Sequence, residues 1–177
     1  MKKFSVPKIV ILVACVMGVI GLFLPYTKSI GEYRDNLKSN PDTIVAKEVN
    51  FKASDVMDIS IMEYFKMYKY EMSHSSDEWT KGTSTVNVVI TIALIAFIIL
   101  TLVFALLNKP ILTIIFTVLM GISSGLMNYD IVDRGVIPSS TYTYGLTYYL
   151  YIALAIVILV SSILIIIKNK KTKKNAK

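Results

Sequence analysis

Four long apolar blocks alternate with polar segments along the chain, and this pattern sets the predicted architecture. At about 1.5 Å per residue, each block is about 27–33 Å long, enough to cross a hydrocarbon core of about 30 Å. Because backbone groups cannot stay unpaired in lipid, each block is predicted to be a helix. The sequence therefore predicts an all-α membrane protein built as a four-transmembrane-helix bundle. The predicted spans are residues 9–26, 88–107, 111–129 and 146–167.

The polar segments around these blocks fall into two groups by charge. The first group, residues 1–8, 108–110 and 168–177, holds ten lysines and no acidic residue. The second group, residues 27–87 and 130–145, holds the other nine basic residues and all 12 acidic ones. Because cytoplasmic flanks collect Lys and Arg, both termini are predicted to be cytoplasmic. The prediction is a multi-pass plasma-membrane protein with a long extracytoplasmic segment between its first two spans.

The extracytoplasmic segment 27–87 is predicted to contain an amphipathic helix over about 54–72, with Ser54 as its N-cap. Such a helix would also suit a membrane interface. Before it, the β-branched residues of 43–51 favour a short strand. The apolar face of the predicted helix comprises Met57, Ile61, Tyr64, Phe65, Tyr68 and Met72.

Small side chains recur every four residues in the third block, at Thr113, Thr117, Gly121 and Gly125. Close contact over small residues drives much of helix association in lipid. Two interpretations follow from this pattern. The stripe packs against other spans of the same chain, with Gly18 and Gly21 as the matching surface, or it docks another membrane protein or a second copy.

Lysines crowd the carboxyl-terminal tail directly after the fourth block. Clusters of this kind attract anionic lipid head groups at the cytoplasmic face of a membrane. Nucleic acid is not an expected partner, because the tail lacks arginine, aromatic residues and a folded scaffold. The lysines expected to contact anionic lipid are Lys168, Lys170, Lys171, Lys173 and Lys174.

Aromatic residues gather where the blocks meet the extracytoplasmic segments. Most of them are predicted to form the aromatic belt that marks a membrane interface. They are Tyr26, Trp79, Tyr129, Tyr142, Tyr144, Tyr148, Tyr149 and Tyr151.

The residue types needed for most chemistry are scarce in this sequence. No Asp, Glu, Lys, Arg or His lies within the four apolar blocks, which argues against ion-coupled transport. Cys15 is the only cysteine, so an internal disulfide is excluded, and His74 is the only histidine. No catalytic residue, cofactor site or metal site is predicted, and the chain is not expected to be an enzyme.

Two stretches resemble those of small four-span membrane proteins of low-G+C Gram-positive bacteria. They are Gly21-Leu-Phe-Leu-Pro25-Tyr26, which ends the first block, and Tyr144-Gly145-Leu-Thr-Tyr-Tyr-Leu, which opens the last. The resemblance implies a membrane location and a four-span layout. The layout is also similar to that of claudin-like tetraspans, although the outer segment here has no cysteine pair.

The expected function is that of a non-enzymatic plasma-membrane protein which acts by helix packing and through its extracytoplasmic segment. An accessory subunit, a sensor and a protective factor all fit that description. The alternative is a membrane subunit of a transporter or secretion system that handles an apolar substrate. A lipid-modifying enzyme is a third interpretation, with Glu63, Asp77 and Glu78 as its few candidate residues.

Overall fold

The computed structural model describes residues 5–175, with Glu48, Lys173, Lys174 and Asn175 described by their backbone alone. This part of the chain is mostly helical. Its helices are α1 (Val6–Gly21), α2 (Gly31–Ser39), α3 (Ala53–Met57), α4 (Ile61–His74), α5 (Glu78–Leu106), α6 (Pro110–Asp133) and α7 (Leu146–Asn175). Its strands are β1 (Pro25–Ser29), β2 (Ile44–Ala46), β3 (Phe51–Lys52), β4 (Asp58–Ser60) and β5 (Tyr142–Tyr144).

Three helices are long and apolar enough to cross a membrane: α5, α6 and the Leu146–Thr172 part of α7. The first predicted block forms a shorter apolar helix, because α1 ends at Gly21 and the chain enters β1 at Pro25. Proline lacks a backbone N–H and disfavours helical geometry at the residue before it, so the helix does not reach the predicted end at residue 26.

The apolar helices pack side by side. α5 and α6 form a tight antiparallel hairpin, while α1 and α6 each lie against both α5 and α7. Buried threonine hydroxyls do not oppose this packing, because each donates to the carbonyl four residues earlier in its own helix. These threonines are Thr91, Thr101, Thr113 and Thr117.

A polar cap, residues 25–77 together with 134–145, covers one end of these helices. Its centre is an antiparallel sheet in the order β4-β1-β5, so strands from three distant parts of the chain meet there. The Gly145 N–H donates to the Tyr26 carbonyl oxygen at 2.7 Å. A side chain at Gly145 would overlap the Pro25 carbonyl group, so glycine is needed where β1 and the start of α7 touch.

The cap is less regular than the sequence pattern predicts. The single helix expected over 54–72 is divided into α3, the strand β4 and α4. A new helix begins because Ser60 and Glu63 form a capping box, in which the Ser60 N–H donates to Glu63 at 2.5 Å. Ser54 therefore lies inside α3 and does not act as the N-cap. The expected strand over 43–51 is likewise broken, by a 3-10 turn between β2 and β3.

Candidate functional site

A cluster of charged and hydroxyl groups joins α4 of the cap to the adjacent ends of α5 and α6. Tyr68 Oη donates to Asp130 Oδ2 at 2.6 Å, and Arg134 Nε lies 2.9 Å from the same carboxylate oxygen. Arg134 Nη1 also lies 3.1 Å from Glu71 Oε2, which accepts a hydrogen bond from Ser84. Burial and the bond to Asp130 raise the pKa of Tyr68 above its usual value. Because Arg134 bridges the carboxylates of Glu71 in α4 and Asp130 in α6, the cluster fixes α4 onto the long helices.

The predicted apolar face of the outer helix is turned into the molecule. Ile61, Tyr64 and Tyr68 are buried, while Met57, Phe65 and Met72 are half-buried against the same core. Tyr64 Oη lies 2.9 Å from Thr27 Oγ1 of β1, and burial raises the pKa of Tyr64 to about 12. The side chains of Lys66 and Lys69 are exposed. Within this chain, the face holds α4 to the sheet of the cap and to the long helices.

The small-residue stripe of α6 does not stay on one face. Thr113 and Thr117 are buried, whereas Gly121 and Gly125 are exposed, and a Cβ atom added at either glycine would meet nothing within 4 Å. Four residues rotate a helix by about 400°, so a four-residue repeat drifts by about 40° at each step. The buried face instead continues through Met120, Ser123, Met127 and Ile131.

The glycines of the first block have a different neighbour from the one expected. Gly18 faces Ile98 of α5 and Leu154 of α7, and Gly21 faces Tyr151 of α7. Tyr151 Oη also donates to the Gly18 carbonyl oxygen at 3.0 Å. This surface is therefore the seam between α1 and α7, and Gly121 and Gly125 of α6 stay uncovered.

An open groove of about 320 Å³ runs between α6 and α7, and Gly121 and Gly125 form part of its wall. Two polar side chains, Ser124 and Asn128, lie beside the glycines. Asn128 Oδ1 accepts a 3.3 Å hydrogen bond from Tyr26 Oη. Within residues 5–175, its amide nitrogen donates to no acceptor. The lining is completed by Met120, Tyr148, Tyr151, Ile152, Ala155 and Ile156.

A second groove, of about 460 Å³, lies between α5 and α6 next to the cap. Its rim carries two of the most exposed aromatic residues, Trp79 at 79% and Tyr129 at 69%. Its walls are largely apolar, with Asn87 as the buried polar residue among them. The sequence pattern does not distinguish Asn87, which stands just before the second apolar block. The lining residues are Glu78, Trp79, Gly82, Thr83, Val86, Asn87, Ile90, Leu126, Tyr129 and Asp130.

The remaining candidate residues lie apart from both grooves. Lys168, Lys170 and Lys171 are exposed on the last turns of α7, and the side chains of Lys173 and Lys174 lie outside the described part of the chain. His74 stacks on Tyr70, with ring centroids 4.3 Å apart.

The predicted aromatic belt is divided by burial. Trp79, Tyr129 and Tyr149 are exposed, whereas Tyr26 and Tyr151 are buried in the core. Tyr26 makes edge contacts with Tyr64 and with Tyr148, at centroid distances of 6.5 and 6.2 Å. These inner tyrosines join the cap to α7.

Comparison with known proteins identifies no relative of this chain. No protein-family model, no curated protein and no solved structure matches the chain. The function therefore has to follow from the geometry of the cap and the two grooves.

Proposed function

We propose that the chain is a non-enzymatic accessory subunit of the plasma membrane that binds a transmembrane helix of a partner membrane protein. In this proposal α1, α5, α6 and α7 are four spans, both termini are cytoplasmic and the cap is extracytoplasmic. The charge pattern supports this orientation: the turn 108–110 and the tail carry only lysines as charged residues, while every acidic residue lies on the side of the cap.

The position of α1 supports a fourth span despite its length of 16 residues. At its beginning, Lys8 Nζ donates to the Leu106 carbonyl oxygen at the end of α5 far from the cap. At its other end, Gly21 contacts α7 next to the sheet. α1 therefore runs beside the apolar part of α5 over nearly its whole depth, and its outward side carries exposed apolar residues such as Val13 and Val16.

The open α6–α7 groove is the observation that carries the proposal. Gly121 and Gly125 permit a second backbone to approach closely, and Ser124 and Asn128 offer hydrogen bonds beside them. Helix association in membranes relies on these two features, since lipid provides no hydrophobic drive between helices. An amide donor without an acceptor is costly in lipid, and a docked helix with a polar side chain would satisfy Asn128.

The shape of the groove favours a different protein over a second copy of this chain. A two-fold dimer places the same surface of each copy against the other, so a concave groove would face a concave groove and leave a void. A single convex helix from a partner fills the groove without that void.

The tail contributes a second, weaker attachment. Lys168, Lys170 and Lys171 are exposed where α7 continues past its apolar part. In the proposed orientation they lie at the cytoplasmic surface, where each charge contributes about 1 kcal/mol of attraction to anionic lipid.

Cysteine labelling tests the four-span arrangement. In a Cys15→Ser background, Lys38→Cys should react with a membrane-impermeant maleimide on intact cells. Ser5→Cys and Lys170→Cys should react only after the membrane is permeabilised. Labelling of Ser5→Cys on intact cells would show that α1 does not cross the membrane.

A mild-detergent pull-down of tagged protein from native membranes tests the binding role. The wild-type chain should retain a membrane protein that the double variant Gly121→Leu/Gly125→Leu loses. Gly82→Leu is the matched control, because Gly82 also has open space around it but lies in the other groove. If both variants retain the same proteins as wild type, or only copies of this chain appear, the proposed role is wrong.

A further inference from the structure

The exposed apolar surface of α1 is shorter than those of the two helices beside it. On α1, exposed apolar residues run over 6–23, a length of about 26 Å at the helical rise of about 1.5 Å per residue. α1 packs against α5 and α7. On these helices, exposed apolar residues run over 86–107 and 146–167, each a length of about 32 Å. The outward surface of residues 6–23, the α1 face, is therefore about 6 Å shorter than its neighbours.

Contacts at both ends fix α1 in this position. At its beginning, Lys8 Nζ donates to the Leu106 carbonyl oxygen of α5 at 3.0 Å. At its other end, Thr147 Oγ1 of α7 lies 3.1 and 2.9 Å from the carbonyl oxygens of Gly21 and Leu24. These bonds prevent α1 from sliding along its neighbours to even out the difference in length.

Under the four-span arrangement proposed above, the bilayer has to adapt to the α1 face. A span shorter than the local hydrocarbon thickness is accommodated by a thinner bilayer, by flanking side chains that reach the interface, or by oligomerisation. Lys8, the charged residue inside the helix, is 6% exposed and is held inward by its bond to Leu106. Thinning and oligomerisation are therefore the two alternatives to compare.

The side chains of α1 favour lipid over a second protein. Close helix contact in a membrane relies on small residues. The small residues of α1, Ala14, Gly18 and Gly21, are all buried inside the bundle. The exposed apolar side chains are those of valine, isoleucine, methionine and phenylalanine. The α1 face therefore suits flexible acyl chains, which can fill the spaces between bulky side chains.

We propose that lipids with short acyl chains collect along the α1 face, so that the bilayer is thinner there than along α6. α6 also lies against α5 and α7, and its exposed apolar residues run over 111–132, a length of about 32 Å. The energy of mismatch rises with each ångström, so a difference of about 6 Å selects lipids by chain length. This inference rests on the proposed four-span arrangement and does not depend on the partner helix.

Quenching of tryptophan by brominated lipid measures which chains lie against each helix. Trp79→Phe removes the only tryptophan of the full-length chain. One new tryptophan is then placed on α1 by Val13→Trp or on α6 by Ile122→Trp, at positions 57% and 53% exposed. The purified protein is reconstituted in vesicles of dibrominated dioleoyl phosphatidylcholine mixed with unbrominated dimyristoleoyl or dioleoyl phosphatidylcholine. The relief of quenching gives the relative affinity of each unbrominated lipid for that helix.

The two reporters should differ in their preference for short chains. We expect the affinity of dimyristoleoyl relative to dioleoyl phosphatidylcholine to be about threefold higher at position 13 than at position 122. Equal ratios at the two positions would overturn the proposal. An unquenched tryptophan at position 13 would overturn it too, and labelling of Ser5→Cys on intact cells then decides whether the four-span arrangement fails with it.

Two matched variants connect the preference to the length of the apolar surface. Phe23→Asn shortens the α1 face at a side chain that is 67% exposed, and it should raise the ratio at position 13 further. Ile111→Asn shortens the surface of α6 at a side chain that is 65% exposed, and it should leave the ratio at position 13 unchanged. Because both side chains are exposed, neither change removes a core contact. An unchanged ratio at position 13 in Phe23→Asn would contradict the proposal.

Discussion

Tyr68 of α4 donates a 2.6 Å hydrogen bond to Asp130 of α6, across 62 positions of sequence. The same carboxylate pairs with Arg134, whose guanidinium lies 5.3 Å from the centre of the Tyr68 ring. These three side chains connect the cap to the helix that lines both grooves. The position of the cap and the shape of the grooves are therefore coupled.

Removing the Tyr68 hydroxyl should loosen the cap. We expect Tyr68→Phe to lower the free energy of unfolding by about 1–3 kcal/mol, because a buried bond to a charged group is lost. Thermal unfolding in detergent measures the loss, and hydrogen exchange should place it in α4. Tyr70→Phe is the control, since the Tyr70 hydroxyl has no hydrogen bond within the described residues. Equal effects of the two variants would contradict this role for Tyr68.

Low pH should destabilise the cap at a different contact, the ion pair between Arg34 and Asp58. Arg34 binds Asp58 through two hydrogen bonds of 2.8 and 3.0 Å and holds the pKa of Asp58 below its ordinary value of 3.8. Because the folded-state pKa is lowered, the pair stabilises the cap above about pH 4 and loses that effect as pH falls through the folded-state value. Proteolysis of the cap should therefore accelerate below about pH 4.

Two variants test the source of this acid sensitivity. Asp58→Asn should make the cap labile at neutral pH and remove most of the pH dependence. Asp42→Asn removes the more exposed pair with Lys52, at 2.9 Å, and should leave the profile unchanged. A profile for Asp58→Asn identical to that of wild type would assign the acid sensitivity to other groups.

Contact between β1 and the start of α7 should tolerate no side chain at Gly145. We expect Gly145→Ala to destabilise the protein by about 1–3 kcal/mol, because its Cβ overlaps the Pro25 carbonyl group. Gly82→Ala adds a methyl group in open space within a helix and should stabilise by about 0.5–1 kcal/mol. Thermal unfolding of both variants under one condition measures the difference, and similar unfolding temperatures would contradict the close approach.

Sequence patterns predicted the long apolar helices well, because the thickness of a bilayer imposes their length. The ends of the elements were harder to predict. α1 stops before Pro25 because a strand follows, and Ser60 with Glu63 restarts a helix inside a stretch that also has helical periodicity. The Ser60–Glu63 spacing is a recognisable capping box, so this division was within reach of the sequence.

The candidate sites were harder to predict from the sequence than the helices, because they are formed by residues that only the tertiary structure brings together. Helical geometry alone shows that a four-residue repeat drifts, so the separation of Thr113 from Gly125 is predictable. The Tyr68–Asp130 bond joins residues whose neighbourhood is created only by folding. The side-chain oxygen of Asn87, which has no hydrogen-bond partner within residues 5–175, is likewise invisible in sequence, since the residue reads as an ordinary polar position before an apolar block.

Site-specific photo-crosslinking in native membranes tests whether the α6–α7 groove binds a helix of a partner protein. Benzoylphenylalanine replaces Ile156 in the α6–α7 groove, and a control places it at Val13, exposed on α1. We expect a crosslink to one other membrane protein from position 156, which is lost in Gly121→Leu/Gly125→Leu and absent from position 13. Crosslinks from position 156 to lipid or to copies of this chain alone would contradict the claim that the groove binds a partner helix.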